Sequence, residues 1–166
     1  MISGEKVIIR GLTKNDAKDI YNWVNQEDLR TLTGTLYPIS EYEHQEWMQN
    51  VTTSQNKKLF LVADKQTGES LGTIGLKNFD YINRNVELFI SLAVSGGYGT
   101  DAVHTLVEYC FNHLNMHKVY LYVFESNTRA QRCYEKAGFK KEGILVDHHF
   151  SNGKYENVFV MGITNC

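Results

Sequence analysis

The chain has 166 residues, 42% of them hydrophobic and 22% charged, with a formal net charge of −2. That length can bury a core of its own, so a single domain over 1–166 is expected, and interspersed charges of both signs exclude a basic nucleic-acid tail or a polybasic membrane anchor. No apolar run approaches the ~20 residues of a membrane span, and the N-terminal MISGEKVIIR lacks the apolar centre of a signal peptide, which points to a cytoplasmic protein.

Residues 5–11 (EKVIIRG) read as a strand. Thr13 then opens TKNDAKDIYNWV, with Asp16 in the first turn and Ala17, Ile20, Tyr21 and Val24 on one stripe, the pattern of a capped amphipathic helix. The stretch 30–39 (RTLTGTLYPI) holds Pro38 and reads as a loop. Ser40 with Glu43 three residues on forms a second capping box, before a helix through about Val51. Three strand-like runs follow: KKLFLVAD, SLGTIGLKNF and RNVELFISL. The short links between them, KQTGE and DYIN, imply antiparallel neighbours.

After the third run comes SGGYGTDAV (95–103). Beyond it Ala102, Val103, Leu106, Val107, Cys110, Phe111 and Leu114 keep one helix face. HKVYLYVF is a strand. Asn127 caps a helix, NTRAQRCYEKA, which Gly138 ends as the residue after the C-cap. FKKEGILVDHHF and KYENVFVMGI then form a hairpin around Asn152-Gly153. The order is β-α-α-β-β-β-α-β-α-β-β, a mixed α/β domain. Cys110, Cys133 and Cys166 have no metal-ligand spacing; Cys110 and Cys133 fall at apolar helix positions and read as packed, reduced thiols, so no metal is expected.

The glycine stretch carries the functional signal. A helix N-terminus exposes backbone N–H groups with a partial positive charge, and preceding glycines let an anion approach them closely. The alternative is a tight turn with no ligand. A P-loop is excluded, because Thr100 follows Gly99 where a lysine is needed. Gly97-Tyr98-Gly99-Thr100-Asp101-Ala102 matches the dinucleotide pattern G-x-G-x-x-G/A, and Glu125 ends the next strand roughly 20 residues on. That pattern belongs to an open parallel sheet of two halves, and the chain after Glu125 has no room for the second.

A third reading rests on two blocks in register. Val94-Ser95-Gly96-Gly97-Tyr98-Gly99 resembles, in its second half, the Gln/Arg-x-x-Gly-x-Gly/Ala signature of the GNAT superfamily of acyl-CoA N-acyltransferases. Glu125 to Phe139 (ESNTRAQRCYEKAGF) is similar to that family's Asn-x-x-Ala-x-x-x-Tyr-x-x-x-Gly-Phe segment through Asn127, Ala130, Tyr134, Gly138 and Phe139. The C-terminal hairpin resembles the branch that includes ribosomal-protein alanine acetyltransferases and spermidine N-acetyltransferases. Three features depart from the pattern. Val94 stands at the Gln/Arg position, Gly96 at a frequently basic one, and the segment from Glu87 to Gly97 is a few residues short.

The resemblance implies a GNAT-like, largely antiparallel central sheet flanked by about four helices, with acetyl-CoA as co-substrate and an amine as acceptor. It places the pyrophosphate on the backbone of Gly97, Tyr98, Gly99 and Thr100, and the pantetheine arm along Ile90, Ser91 and Leu92 where two strands splay apart. Asn127 and Ala130 complete the donor site. Tyr134 takes the general-acid role, its alternative being a packed core phenol; a phenol of pKa about 10 stays protonated at neutral pH. Glu87 is the candidate base, its alternative a solvent-facing strand position.

Of His148 and His149, one should face each side of the strand. The acceptor site is expected at the two N-terminal helices and the loop between them, where Glu41, Glu43 and Glu46 would attract a polyamine or form a solvated helix face, and Tyr37, Tyr42 and Trp47 would wall a pocket or fill the core. The acceptor is a small molecule (polyamine, amino sugar or antibiotic) or a protein N-terminus. A homodimer is among the expected assemblies. The altered loop leaves a second reading, a CoA-binding or sensor domain that has kept the fold and lost catalysis.

Overall fold

A computed structural model describes residues 1–27 and 36–166. In chain order it contains β1 (Ile2–Ser3), β2 (Val7–Arg10), a 3-10 turn (Lys14–Asp16) that runs into α1 (Ala17–Asn25), α2 (Glu41–Thr53), β3 (Lys57–Asp64), β4 (Ser70–Asp80) and β5 (Asn85–Leu92). Then come α3 (Tyr98–Asn112), β6 (Lys118–Phe124), α4 (Thr128–Lys136), β7 (Lys140–Ser151) and β8 (Lys154–Thr164). The eight strands form one sheet in the order β1-β2-β3-β4-β5-β6-β8-β7. Every neighbouring pair is antiparallel except β5 and β6. Parallel neighbours need a crossover, and α3 is that crossover.

The expected strand over 5–11 is corrected to Val7–Arg10, with Ile2–Ser3 folded back on it so that Ile2 pairs with Ile9 and Ser3 with Ile8. The N–H groups of Glu5 and Lys6 leave the ladder because a carboxylate on α3 takes them, as described below. A two-residue strand is too short to show alternation. The loop reading over 30–39 falls, for residues 30–35, outside the described residues.

Local chemistry accounts for the remaining boundaries. The Oγ of Ser40 accepts from the Glu43 N–H at 3.2 Å, while the Glu43 carboxylate accepts from the Ser40 N–H at 2.9 Å, a reciprocal cap. Helix α4 ends in a Schellman motif: Gly138 has φ +101°, its N–H donates to Glu135 O at 3.0 Å, and the Phe139 N–H donates to Tyr134 O at 2.9 Å. Asn152 and Gly153 both have positive φ, +53° and +76°, as the two-residue turn between β7 and β8 requires.

The core lies between one face of the sheet and α3 with α4. Ala102, Val103, Leu106 and Cys110 of α3 pack against Val86, Leu88, Val119 and Leu121 of β5 and β6. Burial pushes the Cys110 thiol up to about 12, so it acts as a packed hydrophobe. Helices α1 and α2 cover β3 and β4, and the buried His44 ring anchors the two to each other through Nε2, 2.7 Å from Ala17 O.

At the start of the 3-10 turn the Asp16 carboxylate, 3% exposed, accepts from Arg10 Nη1 and Nη2 at 2.9 and 3.0 Å and from Thr13 N and Oγ1 at 2.7 and 3.1 Å. The Arg10 guanidinium, followed by the Thr13 donors, holds this carboxyl below the usual carboxylate range. A depressed folded-state pKa stabilises the fold above the unfolded value of about 4, and that contribution disappears as pH falls through the lower folded value. Asp16→Asn is expected to cost about 1–3 kcal/mol at pH 7 by thermal or urea denaturation, with the gap from wild type closing as pH drops below about 4.

Candidate active site

The parallel pairing of β5 with β6 lasts only three residue pairs, Asn85–Lys118, Val86–Val119 and Glu87–Tyr120. Beyond them β5 continues to Leu92 against β4 and β6 to Phe124 against β8, without pairing to each other. The strands therefore part into a wedge through the sheet. The polar backbone groups of Leu88 to Leu92 on that side have no strand partner, and an unpaired edge can accept an extended, amide-bearing ligand as an added strand. Gln131 supports the far side by donating from Nε2 to the carbonyls of Phe124 and Glu125 at 3.0 and 2.9 Å.

A cavity of about 320 Å³ opens at the wide end. Its floor is β5 at Ile90, Ser91 and Leu92, and one wall is the glycine loop with the first turn of α3. Gly96 and Gly97 take φ +101° and +86°, a region costly for other residues, and a Cβ on Gly97 would lie 3.1 Å from Lys6 Nζ. No side chain caps α3, and the N–H groups of Tyr98, Gly99 and Thr100 find no acceptor among the described residues. A helix end with free donors of this kind can accept an anion.

The loop is held from behind. The Asp101 carboxylate accepts from the N–H groups of Glu5, Lys6 and Val7 at 3.2, 2.7 and 3.0 Å. Lys6 Nζ donates to Gly96 O at 3.1 Å. The Tyr98 hydroxyl donates to Asp64 Oδ2 at 2.8 Å, which raises the phenol's pKa. Asp64 also accepts from Thr67 and Gln66 N–H and is held below the usual carboxylate range.

The opposite wall is α4. Asn127 Oδ1 accepts from the Ala130 N–H at 3.2 Å and caps the helix, while its Nδ2 makes no hydrogen bond among the described residues and borders the cavity. Small residues let α3 and α4 meet: a Cβ on Gly99 would lie 3.2 Å from Cys133 Sγ, and Thr100 Oγ1 approaches the same sulfur at 3.7 Å. Tyr134 is 7% exposed, packs on Phe139 and lines the cavity. Burial pushes its phenol well above the ordinary value, so it stays protonated through the neutral range, and its hydroxyl has no hydrogen-bond partner among the described residues.

Alternation along β5 turns Val86 and Leu88 to the α3 side and Glu87 and Phe89 to the other. Glu87, 8% exposed, accepts from Asn78 Nδ2 at 2.9 Å, with Lys77 Nζ 3.7 Å away. It sits where β5 and β6 separate, opposite Tyr120, whose phenol is raised by burial and then by Glu87. Lys57 and Lys77 both lie over the Phe89 ring, at 5.0 and 5.5 Å, and Lys57 is pushed down by burial and by Lys77.

Of the residues expected at the site, Ile90, Ser91, Leu92, Gly97, Gly99, Thr100, Asn127, Ala130 and Tyr134 all line this one cavity. The side chain of Tyr98 is directed away to Asp64, leaving only its backbone N–H for a ligand. Glu87 is buried rather than solvent-facing, and on the opposite side of the sheet from α3. Cys133 borders the cavity instead of simply filling the core. His149 stacks on Phe124 at 3.8 Å, whereas His148 is exposed. Tyr37 and Tyr42 are exposed, and Trp47 stacks on His44. Sequence reasoning missed the cations Arg129, Arg132 and Lys136, whose i, i+3, i+7 spacing on α4 was the available signal.

Residues 6–140 match the family model for the acetyltransferase (GNAT) domain, and the chain belongs to that family. It is an N-acetyltransferase that takes its acetyl group from acetyl-CoA and passes it to a small-molecule amine. The chain is 30% identical over 157 residues to a spermidine N(1)-acetyltransferase of Vibrio cholerae, covering 92% of this chain and 90% of the relative. It is 35% identical over 112 residues to the Escherichia coli K12 spermidine N(1)-acetyltransferase, covering 66% and 59%. The crystal structure of the Vibrio cholerae spermidine N-acetyltransferase in complex with CoA and spermine superposes with a TM-score of 0.86 at 29% identity, over 96% of this chain and 95% of that one.

The donor set fits coenzyme A: an uncapped helix end behind two left-handed glycines for phosphate, and an unpaired strand edge for an amide-bearing arm. If the β1–β2 hairpin sets the shape of the loop, Asp101→Ala should weaken acetyl-CoA binding by about tenfold in calorimetry while the far-UV spectrum stays unchanged. Unaltered affinity would show that the loop holds its shape without that carboxylate.

Proposed function

We propose that the acceptor is a linear polyamine of the spermidine type, acetylated at a primary amine, with Tyr134 as general acid and Glu87 as the carboxylate that receives the ammonium. The observation that carries this reading is the pair of groups on opposite faces of one wedge. A protonated phenol with no hydrogen-bond partner among the described residues borders the donor cavity, and a buried carboxylate lies behind the point where the strands part. Similarity over most of the chain to spermidine acetyltransferases supports the polyamine.

Acetyl-CoA, when bound, supplies an acyl group already activated as a thioester. The chain's own residues do the rest. The N–H groups of Tyr98, Gly99 and Thr100 hold phosphate oxygens, and the free β5 edge at Ile90 to Leu92 orients the arm. Glu87 attracts the ammonium and, directly or through water, removes its proton so that the nitrogen lone pair becomes available. Lys77 has to yield its place beside Glu87 to the acceptor, which its half-exposed side chain allows. Tyr134 Oη gives its proton to the departing sulfur. Its raised pKa keeps the proton in place beforehand and makes the phenolate a strong base afterwards, so the phenol is readily reprotonated.

Tyr134→Phe is expected to lower kcat by about 10²–10⁴-fold with acetyl-CoA affinity unchanged, read by thiol release and calorimetry. A variant with wild-type kcat would remove Tyr134 from the mechanism. Across a panel of spermidine, spermine, aminoglycosides and peptides with a free N-terminus, kcat/KM should be highest for the polyamines. Highest turnover on an aminoglycoside would replace the polyamine with an amino sugar.

A further inference from the structure

Three cations converge on the donor cavity from one stripe of α4: Arg129, Arg132 and Lys136. Arg129 is committed in part, because its Nη2 donates to Val94 O at 2.8 Å and ties the loop to the helix. Arg132 and Lys136 make no hydrogen bond and no ion pair among the described residues, although both border the cavity. Both are exposed, and Glu135 between them forms an ion pair with neither, so two cations one helical turn apart are available to an anion in the cavity.

Coenzyme A carries two kinds of phosphate. The pyrophosphate suits the end of α3, where free N–H groups and about half a positive charge meet it. The ribose 3′-phosphate is a phosphomonoester with about −1.5 to −2 charge at pH 7, too dense for one helix end and matched by a guanidinium and an ammonium side by side. The loop itself offers little for it: Val94, Ser95, Gly96 and Gly97 bring no cation into the cavity, and Lys6 is turned to Gly96 O behind the loop. The side-chain cations that line this cavity therefore sit on the opposite wall.

We infer that Arg132 and Lys136 seat the 3′-phosphate of coenzyme A and make the enzyme select the 3′-phosphorylated donor over its dephospho form. The inference rests on the acetyl-CoA reading of the cavity. Calorimetry with CoA and with dephospho-CoA tests it on the wild type, on an Arg132→Gln/Lys136→Gln double variant and on Arg129→Gln. Glutamine keeps helix propensity and length while removing the charge.

The wild type should bind CoA at least about tenfold more tightly than dephospho-CoA. The double variant should lose most of that preference by weakening CoA alone, and its CoA affinity should fall less steeply with added salt. Unchanged dephospho-CoA binding in the double variant doubles as the control for folding. Arg129→Gln, which frees the loop, should weaken both ligands alike. Wild-type affinities within about twofold of each other, or equal losses for both ligands in the double variant, would overturn the subsite while leaving the donor reading intact. Failure of the wild type to bind either ligand would overturn both.

Discussion

Everything at the site depends on how early β5 and β6 stop pairing. Two parallel strands that continued in register would satisfy their own backbone groups and close the sheet. Here pairing ends at Glu87 and Tyr120, and the rest of β5 keeps a free edge on the β6 side that can take up an extended ligand. The same separation opens the sheet between the α3 side and the side bearing Glu87, the two faces on which the proposed donor and acceptor groups lie. Helix α3 leaves β5 at the wide end and returns to β6 at the closed one, as a parallel crossover must.

The glycine loop is a second instance of shape held by its surroundings. Two successive residues in the left-handed region are costly to order, and the loop has few contacts of its own. The β1–β2 hairpin, the Tyr98–Asp64 bond and the Arg129–Val94 bond fix it from three directions. Its N–H groups are then preorganised for an anion, and less entropy is lost on binding. The loop can do without a lysine because its backbone donors and the α3 terminus supply the positive potential.

Much of this was legible in the sequence. Element order, the two capping residues Ser40 and Asn127, the Gly138 stop and the Asn152-Gly153 turn each rest on local backbone chemistry, which a short window carries. The α4 motif placed Asn127, Ala130 and Tyr134 on one helix face, and the structure brings that face to the cavity. What could not be read depends on contacts between distant segments. The β1 strand is two residues long and is defined by its partner. The direction of the Tyr98 ring is set by Asp64, more than thirty positions earlier. The burial of Glu87 arises from Asn78 and Lys77 on the neighbouring strand, not from the alternation in its own.

The hydrogen bonds from Glu5, Lys6 and Val7 to Asp101 span 96, 95 and 94 positions of chain. Closing so long a loop is entropically costly, and contacts of that separation form late relative to helices and hairpins. The glycine loop is thus completed by a long-range closure rather than by a self-contained motif. A donor that binds only the closed form adds its binding free energy to that closure. Cellular supply of the acetyl donor then bears on how long the chain survives unfolding and proteolysis, as well as on how fast it turns over.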